Sequence, residues 1–309
     1  VSLWFAPLQD FVDKTRPPGQ QISFDKYDFA RLLRPDAPWQ LAARRISVFT
    51  VAGHTMEHFT NLASVVDFIR KRQLKVVTSG SFVFTNGQCL PNGMEGIDIG
   101  HGFARETVGM LRQWRDAGGR LDYIVMDGPL YFGYTASAKA CHFSMAEVAR
   151  RVSATVSEVR KLYPDVRIVD AEGPGAAPVA EWLPLLARWL DNFKHAVGRP
   201  IDALSMDLHW RDAWHTGYNW IDAARRITGF LQARGVQSGL YIDAEDDDVD
   251  AAGWMRACEA HISAAANSNI PLDFIYIASW MKYPDRNLPE NDPASLTYLI
   301  NDAYDAFQH

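Results

Sequence analysis

Cysteine is scarce in this chain of 309 residues. The three that occur, Cys89, Cys141 and Cys258, share no CxxC spacing. That argues against a disulfide framework and against a cysteine-rich zinc site. Long apolar runs are missing as well, and no stretch approaches the roughly 18 residues of a membrane span. There is no basic excess: 31 Lys and Arg face 37 Asp and Glu, for a net charge of −6. A protein that binds nucleic acid by neutralising phosphates needs the opposite balance, whereas a polysaccharide or a small neutral ligand is compatible. Low-complexity tracts and breaks in composition are lacking, so one catalytic domain over 1–309 is expected. No basic segment followed by an apolar core opens the chain. It begins at Val1 rather than Met, and the expectation is a secreted or periplasmic product whose signal peptide has been removed.

Against these absences stands a chain that is 48% hydrophobic and 22% charged, with ten Trp, the profile of a globular protein with a large core. Eight short apolar runs recur: 2–10, 45–54, 75–81, 121–129, 166–174, 203–210, 239–246 and 274–280. Segments with apolar residues three and four apart alternate with them, as in "FARETVGMLRQWRDAG", "MAEVARRVSATVSEVRKLY" and "NWIDAARRITGFLQARG"; these are helices with one buried stripe. Gly118, Gly198 and Gly235 fall where helix C-caps belong. Strict strand–helix alternation favours a parallel sheet, and eight units in about 300 residues match an α/β fold of the closed (β/α)8 type, a TIM barrel. A doubly wound open sheet is the runner-up, but its Gly-rich first turn is absent: the first run ends in "FAPLQD".

In such a barrel the chemistry sits at the C-terminal ends of the strands. The residues there are Asp10, His54, Ser81, Asp127, Asp170 with Glu172, Asp207 with His209, Asp243 with Glu245, and Trp280. Alternation along each strand groups Ser205, Asp207 and His209 on one face, Tyr241, Asp243 and Glu245 on another, and Asp170 with Glu172. With the apolar face turned to the helices, the polar face is expected to meet the barrel axis. The result is a convergent ring of acids, which is costly to assemble unless charges are paired or protonated.

Two mechanisms suit that ring. In glycoside hydrolysis, one carboxyl protonates the leaving oxygen and the other acts as nucleophile or as base for water. Glu172, Glu245 and Asp127 are the acids placed for it. Asp10, His54, Asp170, Asp207, His209, Trp210, Tyr241, Asp243 and Trp280 are expected to bind substrate, with Trp4 or Tyr131 as further walls. No cofactor is needed. In the second mechanism Glu172, Asp207, His209 and Asp243 or Glu245 hold a divalent metal for sugar isomerisation or epimerisation, although HxH and HExxH are absent. A non-catalytic carbohydrate-binding barrel is the third reading. The substrate or ligand expected is an oligo- or polysaccharide.

With those residues in place, the chain resembles the (β/α)8-barrel glycoside hydrolases at superfamily level. Glu245 in "YIDAED" sits where that group's strand-7 nucleophile would be, and Trp280 in "IYIASW" resembles the aromatic that lines its sugar subsite. Strand 4 departs from the pattern, with "VMDGP" carrying Asp127 and no Asn-Glu pair; an "AEGP" turn follows strand 5 instead. The segment "KYPDRNLPENDPASLTYLI" after strand 8 is expected to cover the mouth as a lid, with Glu290 as a further acid.

Overall fold

The computed structural model describes residues 1–9, 28–59, 61–83, 104–134, 141–174, 178–208, 210, 219–244, 250–279 and 283–308, apart from the side chains of His54, Glu57 and His58. Each apolar run becomes a strand: β1 (Ser2–Phe5), β2 (Val48–Thr50), β3 (Lys75–Gly80), β4 (Tyr123–Asp127), β5 (Arg167–Glu172), β6 (Ala203–Met206), β7 (Gln237–Ile242) and β8 (Phe274–Ile277). Every neighbouring pair is parallel, and β1 pairs with β8 to close the barrel in the order β1 to β8. The expected (β/α)8 barrel is therefore the fold.

The helices are α1 (Phe29–Leu32), α2 (Ala42–Arg45), α3 (Gly53–His58), α4 (Leu62–Arg72), α5 (Ala104–Asp116), α6 (Pro129–Gly133), α7 (Met145–Leu162), α8 (Val179–Val197), α9 (Trp220–Gln232), α10 (Ala251–Asn267) and α11 (Leu296–Ala306). Local chemistry sets their limits. Ser144 Oγ accepts the Glu147 N–H at 3.2 Å to start α7, and α8 stops at Gly198, which takes a left-handed φ of 83° that a side chain would resist. The buried stripe of α7, Val148, Val152, Val156 and Val159, has the expected spacing. Two helices, α3 and α4, stand between β2 and β3, and the Asn61 side chain caps α4 by accepting the Ser64 N–H.

Two apolar layers result. Between barrel and helices, Phe49, Ile124, Met126, Leu204, Met206, Leu240 and Ile275 face five fully buried tryptophans, Trp39, Trp114, Trp182, Trp189 and Trp254. Half of the ten tryptophans thus fill the core and are no sugar platforms. Inside the barrel lie Trp4, Val48, Val77, Tyr123, Val125, Val169, Ala203, Phe274 and Tyr276. Size is complementary there: Trp4 stacks on Phe274 at 4.2 Å, and a Cβ on Gly239 would come within 2.1–2.4 Å of the Phe274 ring. Trp4 is therefore the barrel's filling rather than a wall of its mouth.

Side-chain layers follow from the register. Following paired residues from Tyr276 through Trp4, Val48 and Lys75, and onward around the ring, returns to β8 eight residues earlier, the shear of a standard eight-stranded barrel. At equal height each strand has thus advanced one residue on its predecessor. Thr50, Val125, Ser205 and Tyr276 form one layer, above it Ala6, Ser79, Ala171 and Tyr241, and above that Ala52, Asp127, Asp207 and Ala278.

The ends of the chain are held together across this ring. Asn287 Oδ1 accepts the Leu8 N–H at 2.8 Å and Asn287 Nδ2 donates to the Leu8 carbonyl at 2.9 Å. Asp28 accepts from the Asn287 and Leu288 amides. Glu290 accepts from the Leu41 and Ala42 amides at 3.1 and 2.6 Å. The described part of the segment after β8 is thus fastened to the barrel rather than poised as a lid, and Glu290 is a helix cap rather than a site acid. Of the described cysteines, Cys141 is disulfide-bonded, with its partner outside the described residues, while the buried Cys258 forms no disulfide.

Candidate active site

The upper layer brings acidic side chains together. Asp127 ends β4 and Asp207 directly follows β6; the register turns both inward, separated by the small Ala171 of β5 below and by Gly173. Asp127 is half-buried and Asp207 exposed, so solvent and ligand reach them from the mouth. Asp243 follows β7 on the inward face shared with Tyr241 and is only 5% exposed. Its Oδ1 accepts the Trp210 indole N–H at 2.6 Å. Tyr241 and Tyr276 stack at 4.6 Å beneath this ring, and Thr50 Oγ1 lies 2.8 Å from Tyr276 OH. The mouth therefore has carboxylates on three strands, an aromatic floor, and alanines on β2 and β8 that leave room.

Strand 5 departs from expectation. Asp170 and Glu172 do lie on one face, but it is the helix-facing one: their paired neighbours are Met126, Leu204 and Met206 of the outer layer. The inner face of β5 carries Val169 and Ala171 instead. Asp170 is fully buried and accepts the Trp189 indole N–H of α8 at 2.7 Å through Oδ2; its Oδ1 has no partner among the described residues. Burial pushes its carboxyl up to about 7. Glu172, 1% exposed, accepts the Leu130 N–H and, at 3.2–3.3 Å, the Tyr131 N–H, at the start of α6. Burial and then the Asp170 charge hold it well above the usual carboxylate range, against the pull of those two amides, with Asp207 adding to the rise. The rule "apolar outward, polar inward" failed here because the outer layer accommodates two acids by hydrogen bonding them to an indole and a helix start.

The remaining expectations divide. Trp210 is 8% exposed, stacked on His261 at 3.8 Å and edge-on to Trp220; its ring is a support for Asp243 rather than an open stacking surface. Asp10, His209, Glu245 and Trp280 lie outside the described residues, as does the side chain of His54. Among the described residues no group of three or more His, Cys, Asp or Glu side chains could hold a metal ion; two residues of the expected ligand set, His209 and Glu245, are not among them. No described helix is long and apolar enough to cross a membrane.

Two contributors carry no sequence signal. Gln9 bridges β1 to β2, donating to the Thr50 carbonyl and accepting from the Ala52 amide, both at 2.8 Å. His261 on α10 sets its Nδ1 2.9 Å from the Asp243 carbonyl. Neither falls at a strand end with a recognisable partner spacing.

No family model and no curated protein sequence matches the chain. Solved structures do. The intracellular xylanase TsXylA of Thermoanaerobacterium saccharolyticum, in complex with xylotetraose, is 10% identical and aligns over 99% of this chain and 94% of its own, with a TM-score of 0.51. The same enzyme with xylotriose is 12% identical over 89% of this chain and 91% of its own, at 0.52. Xylanase10C of Cellvibrio japonicus with xylopentaose is 12% identical over 99% of this chain but only 66% of its own, at 0.54. What these share with the chain is the fold, a (β/α)8 barrel.

Proposed function

We propose that the chain is a glycoside hydrolase acting on an oligo- or polysaccharide, with Asp127 and Asp207 as its working carboxyl pair. The observation that carries this reading is their placement in one side-chain layer at the mouth, on strands β4 and β6. With strands about 4.8 Å apart, two strands separate the backbones by about 9–10 Å. Inward side chains bring the carboxyls toward the separation of roughly 6.5–9.5 Å that leaves space for a water. One carboxyl then protonates the leaving oxygen while the other takes a proton from water attacking the opposite face of the sugar, inverting the anomeric centre. Asp243, fixed by Trp210, accepts sugar hydroxyls beside them, over the Tyr241–Tyr276 floor. Glu245, two residues beyond Asp243, is the other candidate for the second carboxyl. The barrel likeness to three xylanase complexes supports a carbohydrate substrate and makes xylo-oligosaccharides the first to try. The disulfide at Cys141 supports an oxidising, secreted or periplasmic setting.

The test is turnover of xylo-oligosaccharides and a panel of other glycans by the wild-type chain and by Asp127→Asn, Asp207→Asn and Glu245→Gln. Loss of a general acid or base lowers kcat by about 10²–10⁴-fold, and the first product anomer, followed by NMR, is inverted. Full activity in Asp127→Asn or Asp207→Asn removes that residue from the pair. A retained anomer with Glu245→Gln inactive moves the second role to Glu245. Binding of glycans without turnover leaves a carbohydrate-binding barrel.

A further inference from the structure

Glu172 touches both halves of the proposed site without facing it. Its carboxylate accepts the Leu130 and Tyr131 amides of α6. That helix starts two residues after Asp127, through Gly128 in a left-handed turn at φ 50° whose amide donates to the Ala171 carbonyl at 3.0 Å. The Glu172 carbonyl accepts the Asp207 amide at 3.1 Å. The next residue leaves no slack: a Cβ on Gly173 would sit 1.7 Å from the Asp207 carbonyl oxygen, so the ends of β5 and β6 are pressed together where Glu172 stands. The connection to α6 after Asp127 and the backbone of Asp207 thus meet in one buried side chain and its own peptide.

We infer that Glu172 is a positioning residue that sets Asp127 and Asp207 relative to one another, by holding the start of α6 with its carboxylate and the Asp207 amide with its carbonyl. The inference rests on the reading of Asp127 and Asp207 as the working pair. It gives Glu172 a different task from the catalytic one that its place at a strand end suggests, and it gives the buried carboxyl group partners there: three acceptor contacts to two backbone amides offset part of the desolvation. A displacement of about 1 Å at a reacting group costs about a hundredfold in rate, so a residue that fixes the spacing acts on kcat more than on KM.

Two substitutions separate positioning from chemistry. Glu172→Gln keeps an acceptor for the amides; Glu172→Met fills the volume without one. Hydrogen exchange at the Leu130 and Tyr131 amides is measured in the intact chain of 309 residues, beside kcat and KM on the best glycan. Glu172→Met is expected to speed exchange of both amides about tenfold or more, the equivalent of one lost buried bond. Its kcat falls toward the hundredfold level with KM little changed, and Glu172→Gln restores most of both. Glu172→Gln with intact protection but no turnover would make Glu172 a reacting group and overturn the inference. So would Glu172→Met with fast exchange and full kcat, or with unchanged exchange. A wild-type chain that turns over no glycan refutes the hydrolase reading instead, and the exchange measurement still decides whether Glu172 holds α6.

Discussion

Asp170→Asn tests the buried acid pair. In the native chain Asp170 is fully buried and its carboxyl is pushed up to about 7 from the ordinary 3.8. The unfolded chain gives up that proton near pH 4, the folded one only near pH 7. Between those values the folded state binds more protons, so stability is full below about pH 4 and falls as pH rises through 7. At about 1.4 kcal/mol per tenfold step, the full loss for this group is about 4 kcal/mol. Asparagine cannot ionise, so that slope disappears. It can still accept the Trp189 N–H, but its amide nitrogen then occupies the place of Oδ1, which has no partner among the described residues. An unsatisfied donor there costs about 1–3 kcal/mol at every pH. By pH 5 wild type has already lost about 1.6 of those roughly 4 kcal/mol, so the variant stands near wild type at pH 5 and is more stable at pH 8. Removing the Asp170 charge also relieves Glu172, which flattens the variant's curve further. Urea unfolding followed by tryptophan fluorescence at pH 5, 6, 7 and 8 gives both curves. Parallel curves would refute the argument, because they would mean that Asp170 carries the same charge folded and unfolded over this range.

Two further expectations follow from the interior and from the cysteines. Gly239→Ala places a methyl within 2.1–2.4 Å of the Phe274 ring, which stacks on Trp4; overpacking of this kind costs about 1–3 kcal/mol, and an unchanged Tm would show that the inner layers are looser than drawn. Alkylation of the denatured, unreduced chain should label the Cys258 peptide, whereas the Cys141 peptide takes label only after reduction; labelling of Cys141 without reductant would remove the crosslink.

Period and punctuation made the barrel legible. Each of the eight runs holds a strand, and Gly118, Gly198 and Gly235 stand just past helix ends with φ between 67° and 85°. That Asp127, Asp207 and Asp243 face inward was legible too, because alternation along a strand is geometric and β4, β6 and β7 turn these positions inward. Glu172 and Asp170 were not: alternation states that they share a face, but only the partners, Trp189 and the amides of α6, decide which face can hold a carboxylate. Those partners lie 19 and about 42 positions away, in elements whose mutual placement no local pattern encodes. His261 was invisible for the same reason, since its contacts with Trp210 and Asp243 arise only when α10 docks. The high tryptophan content is accounted for largely by the core, since five of the ten are fully buried and fill the large outer layer between barrel and helices.

The seam closed by Asn287 has a consequence for how the molecule comes into being. Leu8 and Asn287 are 279 positions apart, and β1 finds its second neighbour only in β8. The first strand made is thus among the last to be sealed, and until β8 arrives one side of it is an open row of unpaired backbone groups, bordered by Leu3 and Phe5, of the kind that invites pairing with another chain. Closing so long a loop is entropically unrewarded until both ends are nearly in place. The clasp of Asn287, Leu8 and Asp28 fastens a seam that exists only when both ends of the barrel are in place, and a β1 edge left unsealed is the kind of surface that invites aggregation.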